Sequence, residues 1–285
     1  MHLFAEQALG IFKQMTSIII TADDYAQSAA IDAGILHLIR MGRVTATSCL
    51  TLSPRWPVAA QQMTAEIRSL ADIGLHLDFT QYPQALKHAL PKLIAKTALG
   101  MLSRQSILHA IRLQLDAFED ALASAPDYVD GHQHVHQLPQ IREVLIEELD
   151  RRYAKSMPWI RVANPPYRDG LKAMIIRLLG ASALKKLAAV KGIEHTHTLL
   201  GVYDFDLNEE RYRQKLNLWL ANSHTQTSPL ALMCHPAIAT STDAGLQDPI
   251  LSARYVEYAV LASQQFKQML NDHGIKLVRG HSVGL

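Results

Sequence analysis

The amino-acid sequence predicts an α/β fold, a single β/α barrel of seven or eight mostly parallel strands. Short apolar runs alternate with longer segments of helical periodicity along the 285 residues. Several of these runs end in Asp or His, and the catalytic groups of β/α barrels lie at the C-terminal ends of the strands. We therefore expect one barrel domain at residues 16–285, preceded by an N-terminal appendage at residues 1–15.

The first half of the chain supplies four predicted strands. The run at 17–22 is continuously apolar or β-branched, which is typical of a strand buried on both faces. The other strands are predicted at 44–51, at 72–79 and from 125 to the histidine-rich motif at 130–136. Helices are predicted between them at 29–40, 58–70 and 102–123.

The second half continues the alternation to the end of the chain. Strands are predicted at 158–162, 196–202, 230–236 and 275–279. Helices are predicted at 139–153, 171–192, 209–222 and 250–272. Repeated strand–helix–strand units favour right-handed crossovers and a parallel sheet.

Composition excludes several classes of protein. The 28 basic and 26 acidic residues give a net charge of +2, too small to predict nucleic-acid binding. The two cysteines, Cys49 and Cys234, are too few for a disulfide framework and suit a reducing compartment. The N-terminus lacks the charged start and cleavage site of a signal peptide, and no apolar run reaches the ~18 residues of a membrane span. We expect a cytoplasmic protein.

Two segments, 86–112 and 171–191, mix basic residues with apolar ones. This spacing fits the outer helices of a barrel, which we favour, and it also fits a peripheral contact with the inner membrane. The sequence leaves the oligomeric state open, with a homodimer as one option.

Three histidines lie at alternate positions in the motif at 130–136, namely His132, His134 and His136. They would face the same way if the backbone stayed extended. Neutral imidazole is the commonest protein metal ligand, so the cluster favours a metal site over solvated loop histidines. Spacing alone does not choose among the three.

Other strand ends carry matching groups. Asp23 and Asp24 follow the first strand, His76 lies late in the third, and His235 ends the seventh. One carboxylate and two imidazoles form a common ligand set for a divalent ion, and adjacent carboxylates need a nearby cation or a shared proton. We expect Asp24, His76 and a clustered histidine to bind the ion.

This arrangement predicts metal-assisted hydrolysis of an amide or ester. In this hypothesis a metal-bound water attacks the carbonyl, Asp23 takes the proton of that water, and His235 protonates the leaving amine. Two nitrogen ligands and one oxygen favour zinc over magnesium. Arg161, near the end of the fifth strand, is suited to hold an anion or to order a carboxylate.

Five motifs, taken in order, resemble the YdjC-like carbohydrate deacetylase family, the ChbG/HpnK group. They lie at residues 21–25, 42–48, 74–77, 126–136 and 233–237. The resemblance implies a β/α barrel that removes acetyl groups from N-acetylated sugars, either oligosaccharides or glycolipids. It also implies metal ligands at Asp24, His76 and His132, a general base at Asp23 and a catalytic histidine at His235.

The substrate remains open at this stage. The candidates for contact with the substrate are His134, His136, Arg161 and Tyr25. The chain departs from the family at residues 25–27, where Tyr-Ala-Gln replaces the usual Phe-Gly-Leu. Two other functions remain: a metal-dependent phosphoesterase, which usually needs two ions, and a non-catalytic sugar-binding barrel, which has no need of a base at Asp23.

Overall fold

The computed structural model describes residues 15–239 and 248–283. The N-terminal appendage predicted at 1–15 lies outside the described residues, apart from Met15. The first described strand begins at Thr16.

Eight strands form one sheet in which every paired neighbour is parallel. The order across the sheet is β5-β4-β3-β2-β1-β7-β6, and β8 pairs with the start of β1. The predicted α/β barrel of mostly parallel strands is therefore confirmed. The strands are β1 Thr16–Tyr25, β2 Ala46–Cys49, β3 Asp72–Leu77, β4 Tyr128–Gly131, β5 Trp159–Ile160, β6 Thr198–Leu200, β7 Leu230–Cys234 and β8 Ile275–Leu277.

The sheet curls until its two ends meet. Ile160 of β5 forms a parallel bridge with His195, just before β6. Its amide donates to the carbonyl of Glu194 at 2.9 Å, and its own carbonyl accepts from the amide of Thr196 at 3.0 Å. These bonds satisfy backbone groups that an open sheet edge would leave unpaired.

Eleven α-helices lie between or after the strands in the described residues. They are α1 Ala29–Arg40, α2 Trp56–Ala60, α3 Ala65–Leu70, α4 Leu90–Ala98, α5 Arg104–Leu122, α6 Ile141–Tyr153, α7 Leu171–Leu178, α8 Ala181–Val190, α9 Glu209–Ala221, α10 Leu251–Ala262 and α11 Gln264–Asp272. None of them is long and apolar enough to cross a membrane.

Three predicted helices are each divided in two. The helix predicted at 58–70 becomes α2 and α3, and Thr64 caps the second with a bond from the Ile67 amide at 3.4 Å. The helix predicted at 250–272 breaks at Ser263, which caps α11. The helix predicted at 171–192 breaks at Gly180, whose φ of 146° suits glycine and few other residues.

The core has an inner and an outer part because neighbours along a strand face opposite sides. Ile18 and Ile20 of β1 pack into the large cluster shared with the helices. Ile19 packs into a smaller cluster that includes Tyr128 and Trp159, whose rings stack at 4.3 Å. This inner cluster leaves the side chains at the other end of the strands to form a site.

Candidate active site

The carboxyl ends of the strands place the predicted metal-ligand and catalytic residues around one cavity of about 840 Å³. Four strands or the loops after them contribute these residues. The side chains that line the cavity include Asp23, Asp24, His76, His132 and His235. Residues remote in the sequence therefore meet at the mouth of the barrel, as the strand pattern predicted.

Asp24, His76 and His132 converge most closely. Asp24 Oδ1 lies 2.9 Å from His132 Nδ1 and 3.3 Å from His76 Nε2. One ligand atom from each of the three residues lies within 4.8 Å of the others. Asp24 and His76 are almost fully buried, while His132 is partly exposed to the cavity. The group thus presents one oxygen and two nitrogens to a common point, and this donor set suits a divalent ion.

A bulge explains how adjacent aspartates both reach the cavity. In a regular strand Asp23 and Asp24 would face opposite sides of the sheet. The register between β1 and β2 shifts between Ala22 and Tyr25, and Asp24 has a φ of 68°. The irregular backbone turns Asp24 toward the same side as Asp23.

The expectation that the three clustered histidines face the same way is wrong. Residues His132–Gln137 form a 3₁₀ turn in which Gln133 and His134 have positive φ values of 53° and 61°. The turn folds back over Gly131, where a Cβ atom would lie 2.7 Å from His136 Nδ1. His132 consequently faces Asp24, whereas His136 donates from Nε2 to the carbonyl of Arg161 at 3.0 Å.

His76 has partners on both ring nitrogens. Its Nδ1 lies 2.6 Å from Asp130 Oδ1 and 3.0 Å from Ser48 Oγ. Burial lowers the pKa of His76, but Asp130 and Asp24 outweigh this effect and raise the pKa to about 10. The carboxylates around the ring thus favour positive charge at this point, whether it is carried by a proton or by a metal ion.

Asp24 is also fixed through its second oxygen. Arg254 of α10 donates from Nη2 to Asp24 Oδ2 at 2.7 Å and from Nε to Asp248 at 2.6 Å. Burial raises the pKa of Asp24, but Arg254 and His132 hold the pKa of this carboxyl well below its usual range. Asp24 is therefore charged, and its Oδ1 stays directed at the two imidazoles.

Asp23 is bound by a different arginine. Arg161 donates from Nη1 and Nη2 to the two oxygens of Asp23 at 2.6 and 2.7 Å, and its Nη2 lies 2.8 Å from Asp130 Oδ2. Arg161 is 1% exposed. It thus orders carboxylates, one of the two roles that the sequence suggested.

Three of the predicted substrate-binding residues lie behind the cavity wall. Arg161, His136 and Tyr25 are not among the described residues that line the cavity. Tyr25 is fully buried and donates its hydroxyl to the carbonyl of Ala59 at 2.8 Å. These side chains contact protein groups, so their contribution is to hold the site together. His134 does line the cavity.

His235 lies between two carboxylates. Its Nε2 is 3.9 Å from Asp23 Oδ2, and its Nδ1 is 3.9 Å from Glu257 Oε1. The backbone amide of His235 also donates to Glu257, as does the Tyr203 hydroxyl at 2.6 Å. Phe205 meets the imidazole ring edge-on at 5.1 Å between centroids.

Sequence reasoning missed Glu257 and Arg254. Both lie on α10, three residues apart and therefore on one face of the helix, and both are at most 2% exposed. The signal that was available is a pair of opposite charges at this spacing inside an otherwise apolar helix, because buried charges are usually paired.

A second group of potential ligands overlaps the first. One atom each from Asp23, His76 and Asp130 also lies within 4.8 Å of the others. However, Arg161 contacts both of these carboxylates, and the group shares His76 with the first one. A positive guanidinium beside both carboxylates makes the second group the weaker site for a cation.

Known proteins are similar to this chain over most of its length. A family model described as "YdjC-like protein" matches residues 17–272. A chitooligosaccharide deacetylase of Salmonella typhimurium is 26% identical over 272 residues, which cover 91% of this chain and 96% of the relative. A chitooligosaccharide deacetylase of Klebsiella pneumoniae is 26% identical over 271 residues, with the same coverage of 91% and 96%.

One solved structure shares the whole fold. It belongs to a protein of Enterococcus faecalis whose description suggests that it cleaves cellobiose phosphate. The TM-score is 0.70 at 21% sequence identity, and the alignment covers 94% of this chain and 99% of the other.

Proposed function

The chain belongs to the YdjC-like family, and from that premise we propose that it removes the acetyl group from an N-acetylated sugar by metal-dependent hydrolysis. The names of the two deacetylase relatives support the reaction, and the lining of the cavity supports a hydrolytic site. The observation that carries the proposal is the position of Asp24 Oδ1, directed at imidazole nitrogens of both His76 and His132.

Asp24, His76 and His132 would hold one divalent ion. Two nitrogens and one oxygen favour Zn²⁺, with Mg²⁺ as the alternative. A divalent ion bound there would polarise the amide carbonyl and lower the pKa of a neighbouring water molecule. Asp130 and Ser48 orient His76 from behind, as the outer partners of metal-binding histidines do.

Asp23 and His235 would move the protons. Asp23 takes a proton from the attacking water. Arg161 donates to both oxygens of the Asp23 carboxylate, but each oxygen keeps a further lone pair that can accept this proton. The C–N bond of the amide then breaks, and His235 gives a proton to the departing amine nitrogen. Acetate and the free amine are the products. Glu257 holds His235 from the side opposite to Asp23.

The polar part of the cavity wall would bind the sugar. Gln27, Gln81 and His134 offer hydrogen-bonding groups there, and the Phe205 ring offers a flat apolar face beside His235. His134 is retained from the sequence-based candidates. Burial, together with Arg161 and the neighbouring histidines, holds the pKa of His134 well below its usual range, so it is a neutral ring that can donate or accept.

The decisive test replaces the base and measures turnover and metal separately. Asp23→Asn should lower the rate of acetate release from N-acetylglucosamine derivatives by about 10²- to 10⁴-fold, the usual worth of a positioned base. Its zinc content should stay at the wild-type level because Asp23 is outside the ligand group. Asp116→Asn, at a half-exposed position on α5, is the matched control and should change neither quantity.

The same assay addresses the rival functions. Unchanged turnover in Asp23→Asn would remove the base role from this residue. Phosphate release from phosphorylated sugars, with no acetate release, would favour a phosphoesterase. A phosphoesterase usually needs two ions, and the two ligand groups share His76, so they do not form two separate metal sites. Binding of the sugar with no turnover in the zinc-loaded wild type would favour the non-catalytic barrel.

A further inference from the structure

We infer that the cavity contains a second, apolar subsite that holds a hydrocarbon chain carried by the substrate, on the part of the molecule away from the acetyl group. This inference rests on the proposed function and narrows its substrate to an amphiphilic N-acetylated sugar. The subsite is the part of the cavity wall formed by α4 and α7.

Two helices present aliphatic side chains to the cavity at helical spacing. In α4 the positions are i and i+4, and across α7 and the residue after it they are i, i+4 and i+8, so each set forms one stripe along its helix. Both stripes line the same cavity as the metal-ligand group. The side chains are Leu90, Ile94, Leu171, Ile175 and Leu179.

Most of the α7 stripe is exposed although the helix also has buried side chains. Ala173 and Ile176 are buried, Ile176 at the edge of the same cavity, whereas Leu171 is 67% exposed and Ile175 is 49% exposed. An apolar ligand that covers such side chains removes their surface from water, and this burial stabilises the bound state. The stripe is therefore suited to a ligand rather than to the core.

The chemistry of this wall argues against further sugar units. Each sugar hydroxyl that loses water needs a hydrogen-bond partner, and an unpaired one is costly. Leucine and isoleucine side chains offer no such partner, and Lys172, which also lines the cavity from α7, already donates to the carbonyl of Tyr203 at 2.6 Å. The acetyl group has only two carbons and would lie beside the metal-ligand group. It is therefore too small to cover the apolar wall that α4 and α7 form. A hydrocarbon chain attached to the remainder of the sugar fits it.

The test compares matched substrates on the zinc-loaded full-length protein. The methyl and octyl glycosides of N-acetylglucosamine carry the same sugar, and the octyl compound is used below the concentration at which it forms micelles. Each covered CH₂ contributes a factor of about four. With about three or four of its seven additional CH₂ groups covered, we expect kcat/KM for the octyl compound to exceed that for the methyl compound on the order of 100-fold.

Two variants locate the effect. Ile94→Ser and Ile175→Ser should each lower the octyl-to-methyl ratio of kcat/KM several-fold. Leu178→Ser is the matched control for Ile175→Ser. Leu178 also lies on α7 and is 70% exposed, but it is not among the described residues that line the cavity. Its ratio should equal that of the wild type.

Calorimetric binding of the same two glycosides separates the subsite from the reaction. If the octyl compound binds more tightly and Ile175→Ser weakens this preference several-fold, the subsite is supported even when no acetate is released. The lack of acetate release would overturn only the proposed function. Equal binding of both glycosides, or a ratio of kcat/KM near one, overturns the subsite even if both compounds lose acetate. Faster cleavage of methyl N-octanoylglucosaminide than of the N-acetyl compound would place the chain on the acyl side and overturn the assignment.

Discussion

At the scale of single residues, the two adjacent aspartates have different surroundings because different arginines bind them. Arg254 contacts one oxygen of Asp24 and leaves the other directed at two imidazoles, while Arg161 contacts both oxygens of Asp23. This difference supports the separate roles proposed for the two neighbours, a ligand and a base. Both arginines are nearly fully buried, so each depends on its carboxylates for charge compensation.

Glu257 provides a test of a positioning residue. Its carboxylate accepts from the His235 amide and lies 3.9 Å from the ring Nδ1. Glu257→Gln keeps the size of the side chain but removes the negative charge beside the ring. We expect kcat to fall about 10- to 100-fold, the usual effect of losing an outer partner, with KM nearly unchanged. Steady-state rates of acetate release across pH would measure both.

The control for this prediction is Tyr203→Phe, which removes one hydrogen bond to the same carboxylate but keeps its charge. Its effect on kcat should be smaller than that of Glu257→Gln. Equal kcat values in wild type and Glu257→Gln, with equal thermal stability, would show that Glu257 does not influence His235.

The sequence located the side chains that line the cavity better than the side chains that support them. Asp24, His76 and His235 lie at or just after the ends of strands, so the strand pattern alone brings them to one end of a barrel. His132 was distinguished from His134 and His136 only through the family resemblance, because a 3₁₀ turn with two positive φ values replaced the extended backbone that spacing assumed. The charge pair on α10 was visible in the sequence, but which side chains it contacts depends on tertiary packing that local patterns do not encode.

At the scale of elements, helix ends determine where periodicity misleads. The segments at 171–192 and 250–272 keep apolar spacing across a break, so the pattern predicts one helix where the structure has two. Glycine at position 180 is a visible sign of a helix break. Serine also occurs inside helices, so Ser263 does not indicate by itself that its hydroxyl caps α11.

The end of α5 allows a stability test. Ala123 is exposed, has a φ of 51°, and donates its amide to the carbonyl of Glu119 at 2.8 Å. Glycine adopts this left-handed conformation without the penalty that a Cβ atom brings. Ala123→Gly should raise the free energy of unfolding by about 0.5–1 kcal/mol, measured by urea denaturation.

The control is the same substitution two residues earlier. Ala121 is exposed but lies within α5, where glycine costs about 0.5–1 kcal/mol relative to alanine. Ala121→Gly should therefore lower the free energy of unfolding. A loss of stability in both variants would mean that Ala123 is not strained in solution.

At the scale of the whole molecule, acid stability is expected to depend on Glu148 in the outer layer. Its carboxylate receives hydrogen bonds from Arg151 and, across two helices, from Arg112. Arg151 lowers the pKa of Glu148, burial opposes this, and Arg112 lowers it further, to about 2. A carboxyl whose pKa falls on folding stabilises the protein above its unfolded pKa, and this stabilisation is lost as the pH approaches 2.

Glu148→Gln should consequently be less stable than wild type at pH 7, by about 1–2 kcal/mol because both arginines are partly exposed. The difference should shrink as the pH falls below the ordinary glutamate pKa of 4.5. Urea denaturation at several pH values measures it. Glu66→Gln is the control; it removes an exposed ion pair at 3.9 Å and should change the free energy of unfolding little. A stability difference between wild type and Glu148→Gln that stays constant with pH would contradict the prediction.

The whole architecture was the most predictable feature. Alternating strands and helices allow few topologies once crossovers are right-handed, and the parallel sheet follows. The joining of β5 to the segment before β6 was not predictable, because a two-residue strand and one bridge leave almost no pattern in the sequence.

The central position of β1 has a consequence during synthesis. Ile18 pairs with Leu230 and Thr16 with Ile275, so this strand leaves the ribosome more than two hundred residues before two of its neighbours exist. Until then one edge of an aliphatic strand remains unpaired, a state in which nascent chains associate wrongly or recruit chaperones. Protease resistance of ribosome-bound chains should therefore rise only after β7 has emerged.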